Sequence, residues 1–76
     1  MRKQVVQFDS PLDVLLAIAK RLSRFEGEVG MDSEEFYARY TQGQMGDDAR
    51  SIDWANDYRH YVALRNALDK KLHEAA

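Results

Sequence analysis

The apolar positions change their period as the chain proceeds. Residues 3–8 read Lys-Gln-Val-Val-Gln-Phe, and the paired valines with a terminal aromatic predict a short strand over about 3–8. Its alternation is imperfect: Val6 and Phe8 share one face, while Val5 lies on the other with Lys3 and Gln7. The period then lengthens. Ser10 can accept an orphan N–H, Pro11 suits the first helical position and Asp13 adds favourable charge, so a helix is predicted from about 11 to 29. Leu15, Ile18, Leu22, Phe25 and Val29 recur at alternating steps of three and four, and Leu12, Leu16 and Ala19 widen that stripe. Lys20, Arg21 and Arg24 fall outside it, and Gly30 supplies the left-handed residue that ends a helix.

A second helix, about 33–42, follows from a capping pattern. With Asp32 as N-cap, Glu35 stands at N3, where it can reach back to the cap's N–H, and Met31 and Phe36 take the staple positions. Phe36, Tyr37 and Tyr40 give it apolar surface before Gly43 closes it. A third helix, about 48–74 and capped by Asp47 or Asp48, meets no glycine or proline. Its ridges are Ile52, Ala55, Tyr58 and Val62, and the overlapping Trp54, Tyr58, Tyr61, Arg65, Leu68 and Leu72. That apolar angle is wider than two short neighbours can cover, which points to contact with a second chain. The expected fold is all-α: one domain of three helices preceded by a short N-terminal β-strand.

Composition narrows the function. At 76 residues, 45% apolar and 32% charged, the chain is a single soluble globular domain. A domain of this size buries only about 60% of its unfolded surface, so its core is marginal and a partner is the available staple. It has no cysteine and two histidines, which removes disulfides and thiolate metal sites, and no cofactor is expected. The longest apolar run, Val14 to Ala19, is far short of the ~20 residues that span a bilayer. With no signal-peptide pattern either, a cytoplasmic protein away from membranes is expected. A net charge of −2 disfavours nonspecific polyanion binding.

Catalysis finds little support. Asp53, Asp57 and His60 stand at helical spacings that resemble a carboxylate–histidine site, but a solvated acidic face produces the same pattern, and Arg50 and Arg59 are ready ion-pair partners. The serines lack nucleophile-elbow surroundings, the glycines form no phosphate-binding loop, and Asp47-Asp48 lacks the alternating ligands of a calcium loop. The expectation is a non-enzyme without a small-molecule substrate.

Binding is better supported. Trp54, Tyr58, Tyr61 and Arg65 are types enriched at interface hot spots, although a helix-spaced aromatic row also builds cores. A lone strand bearing Val5, Val6 and Phe8 calls for pairing with its copy in a homodimer or with a partner's sheet. Asp57, with Asp47, Asp48 and Asp53, gives an acidic face suited to a basic cleft. The alternatives are a dimeric ribbon-helix-helix regulator, in which Arg2, Lys3 and Gln7 would face DNA, and a purely structural helical homodimer.

The segments Phe8 to Asp13, Ala17 to Leu22, Ser33 to Phe36, Gly46 to Asp48 and Trp54 to Tyr61 resemble small bacterial proteins found beside toxin genes, the antitoxin components of toxin–antitoxin pairs. That resemblance spans nearly the whole chain. It implies a cytoplasmic protein that neutralises a cognate toxin by covering its active surface, and it assigns no site residues.

Overall fold

A computed structural model describes residues 10–75. They form three helices, α1 (Pro11–Val29), α2 (Ser33–Thr41) and α3 (Ala49–Ala75), with no strand among the described residues. The strand expected over 3–8 lies outside them.

Local chemistry sets most of the boundaries. The Ser10 hydroxyl accepts the Leu12 N–H at 3.0 Å, Pro11 occupies the first turn, and Gly30 ends α1 at φ 77° while its N–H reaches the Glu26 carbonyl. Gly43, at φ 76°, turns the chain out of α2, donating to the Tyr40 carbonyl at 3.0 Å.

The expected capping box at Asp32 does not form. Asp32 holds the N-cap position in extended geometry, but its side chain caps nothing, and Glu35 pairs instead with Arg39 one turn on, at 2.9 Å. The Ser33 N–H is satisfied from α1 by the Glu26 carboxylate at 2.9 Å. A carboxylate already fixed on a packed neighbouring helix answers the positive end of α2, where hydrogen bonding and helix polarity act together.

Helices α1 and α3 run antiparallel. Glu28 pairs with Arg50 at 3.7 Å, Phe25 stacks on Trp54, Arg21 meets Asp57, and Leu12 and Leu15 lie beside Leu68 and Leu72. The core sits toward one end of this pair. Ile18, Leu22, Phe36, Trp54 and Ala55 are buried, with Phe25, Met31, Tyr40, Met45 and Tyr58 packed around them. The centre is an aromatic sandwich. Trp54 lies 3.8 Å from Phe36 and 5.5 Å from Phe25, centroid to centroid, with interplanar angles of 5° and 16°.

Because α2 is nine residues long, it covers only the Trp54 end. At 1.5 Å per residue it spans about 14 Å, against about 40 Å for α3. The sequence stripe of α1 is therefore only partly buried: Leu12 and Leu16 are 53% and 54% exposed, and on α3 Leu72 is 71% exposed.

Candidate interaction site

The side chains that sequence reasoning grouped along α3 divide by depth. Trp54 is 1% exposed, and its indole N–H donates to the Ser33 hydroxyl at 2.9 Å. Of the core and interface readings of Trp54, the structure takes the core, because the stacked rings and the satisfied N–H leave nothing of it to offer a partner. One and two turns further on, Tyr58 and Tyr61 are half-buried, and Arg65 is exposed. The ridge climbs out of the core in that order.

Asp57 also changes role. Both of its oxygens are held by Arg21, whose Nε and Nη2 donate at 2.9 and 3.0 Å in a bidentate pair linking α1 to α3. The Asp57 side chain is 18% exposed and faces its own fold, so it is unsuited to seeking a basic cleft on another molecule. The same hydrogen bond raises the Arg21 guanidinium above its ordinary value. Asp48 is likewise engaged, accepting the Ser51 hydroxyl at 2.8 Å, which holds its carboxyl below the usual range. Asp47 and Asp53 remain exposed, so the acidic face is narrower than the sequence implies. Arg50 and Arg59 do not serve the acids beside them: Arg50 reaches Glu28, while Arg59 donates to Asn56 and to the Tyr37 hydroxyl and lies 5.8 Å from that ring. Among the described residues no group of three His, Cys, Asp or Glu side chains is disposed to hold a metal ion.

Two clefts lie along the antiparallel pair. The inner cleft, about 170 Å³, is walled by Ala19, Leu22, Ser23, Tyr58 and Tyr61, with Ser33, Glu26 and Glu34 also lining it. The outer cleft, about 370 Å³, is floored by Leu12, Leu15, Leu68 and Leu72 and edged by Arg65, Asn66 and Asp69. The Tyr58 hydroxyl is held above its ordinary pKa, first by burial and then by the nearby Glu34 charge. An acidic, aromatic cleft and an apolar cleft thus both lie along the α1–α3 pair.

Tyr58 and Tyr61 line the inner cleft and Arg65 the outer one. Sequence reasoning passes over Leu12, Leu15, Glu26 and Glu34 as cleft residues. The leucines look like ordinary core positions, and only the shortness of α2 marks them as uncovered. Val5, Val6 and Phe8, and the DNA-facing candidates Arg2, Lys3 and Gln7, lie outside the described residues. No helix among the described residues is long and apolar enough to cross a membrane. No protein-family model, no curated protein and no solved structure matches the chain.

Proposed function

We propose that this protein is a protein–protein interaction module that engages its partner through the open end of the α1–α3 pair, in the manner of an antitoxin covering a toxin. The observation that carries this reading is the leucine-floored cleft: Leu12 and Leu72, 53% and 71% exposed, line it with Leu15 and Leu68, and no residue of α2 does. Contiguous apolar surface on so small a domain is costly to leave in water and marks a contact face. Arg65 edges it, and Tyr58 and Tyr61 line the inner cleft, supplying the amphipathic and planar groups that anchor interfaces. Binding needs no bond-making chemistry from the chain, and a marginal core gains stability when a partner covers it.

In this reading the protein is bacterial and cytoplasmic, its partner is a cognate toxin, and residues 3–8 form the short strand that gives the module a second arm, with Val5, Val6 and Phe8 as its apolar contacts. The same face accounts for a homodimer when the partner is absent. The test is co-expression with the product of the adjacent gene, scored by growth rescue and by co-elution. Leu12→Asp and Leu72→Asp each abolish rescue and co-elution while the thermal midpoint of the free chain stays within a few degrees. Rescue that persists in both variants refutes the cleft as the binding face.

A further inference from the structure

Along α3, the cover given by α2 ends early. Tyr37 packs on Tyr58 at 5.0 Å between ring centroids, and Val62 and Ala63 are the last α3 residues to share a hollow with it. From Val62 to its end at Ala75 the helix continues for about 20 Å at 1.5 Å per residue. Tyr58, Val62, Arg65, Asp69 and Leu72 recur at steps of four and three, so they share one face. The first two positions of that face lie against α2, and the outer cleft opens along the rest. A helix laid there continues the layer that α2 begins.

The edge of this cleft carries two charges that do not answer each other. Arg65 makes no ion pair among the described residues, although Asp69 stands one turn away on the same face. Base before acid at i and i+4 is the less favourable order within a helix. Asp69 meets only His73, at 3.7 Å, and a neutral imidazole leaves its charge unmatched. A second α3 running antiparallel matches both. With a two-fold axis beside residue 67, Arg65 stands opposite the partner's Asp69, and Asp69 opposite the partner's Arg65. The same register sets Leu72 against the partner's Val62, so each copy's α2 stands at the end of the other's α3. A parallel pair instead places Arg65 beside Arg65 and Asp69 beside Asp69, which repels.

We propose, resting on the reading of the outer cleft as a contact face, that its occupant is a second copy of this chain: the two α3 helices cross it antiparallel about a two-fold axis, Arg65 of each pairing with Asp69 of the other. The leucines at the cleft supply the buried apolar area, while the exchanged pairs fix register and direction. Helices α1 and α3 of both copies then close into a four-helix bundle, with the two α2 helices at its opposite ends.

Light scattering on the purified chain, over a dilution series, reads the mass with no other protein present. The native chain should reach a mass near twice 8.8 kDa at the concentrated end. Arg65→Asp and Asp69→Arg should each lose the dimer at concentrations where the native chain keeps it, because each sets like charges together. An equimolar mixture of the two variants should recover the dimer mass, and so should the doubly substituted chain, since both restore opposite charges across the axis. Far-UV circular dichroism checks that the single variants keep their helices, and the doubly substituted chain carries the test if either does not. A native chain that stays monomeric, single variants that stay dimeric, or a mixture and a double variant that stay monomeric each overturn the proposal. Growth rescue and co-elution with the adjacent gene product read the toxin proposal separately, and neither result alters the mass of the isolated chain.

Discussion

The two ends of the α1–α3 pair are made from the same two helices but are finished differently. At the Trp54 end a third helix closes the layer, three aromatic rings stack, the indole N–H is bonded and the facing carboxylate caps a helix. At the Leu72 end nothing described closes the layer, and large aliphatic side chains stand in solvent. The difference teaches that amphipathic pattern makes a helix able to bury a face, while the length of its neighbours decides whether it does. A nine-residue α2 leaves roughly half of a 27-residue α3 with an apolar ridge and no cover.

Substitutions sort by end. Trp54→Ala removes the middle of the ring stack and should cost about 3–5 kcal/mol, a large part of the roughly 4–11 kcal/mol available to a chain of this length. Leu72→Ala, at 71% exposure, should stay within about 0.5 kcal/mol. Urea unfolding followed by circular dichroism compares the two, and equal losses would erase the distinction between the ends.

Ser33→Ala should cost about 1–3 kcal/mol, since it strands the Trp54 N–H in a dry site. A red-shifted Trp54 emission in the folded variant would show instead that water reaches the indole and lowers that penalty. The cap of α2 comes next. Glu26→Ala should cost about 1 kcal/mol, because it leaves the Ser33 N–H open, whereas Asp32→Ala, which removes no hydrogen bond, should cost less than half as much. The opposite order in thermal midpoints would restore the local capping box.

A double-mutant cycle on Arg21 and Asp57 should give a coupling of about 0.5–1 kcal/mol, modest because the Arg21 side chain is 46% exposed, and it should shrink in high salt. The smallest effect is on pH dependence. Tyr58 titrates higher in the folded chain than in the unfolded one, so the stability its neutral form contributes is complete below the ordinary tyrosine pKa of 10.0 and is lost as pH rises through the folded value. Absorbance titration at the phenolate band should show one late tyrosine, absent in Tyr58→Phe.

Much of the fold was legible because its signals are local. Ser10-Pro11, Gly30 and Gly43 each act within a few residues of themselves, and the three helices begin and end within a residue or so of the positions these groups predict. The groups that reach across the chain were not legible. Glu26 caps α2, Arg21 clamps Asp57 and Ser33 receives the Trp54 N–H because α1 and α3 meet in one register, and no local spacing encodes that register. The α3 row was half legible for the same reason. Its spacing marks one face, but only the position of α2 decides that Trp54 is covered while Tyr58, Tyr61 and Arg65 line clefts.

Residue-resolved amide exchange on the purified full chain tests the division most directly. The account predicts that the slowest amides lie around Ile18 to Phe25 and Trp54 to Tyr58, exchanging only by global unfolding, with protection falling steadily along α3 beyond Leu64. Protection at Leu72 equal to that at Trp54 would contradict it, because both ends would then open together as one closed core.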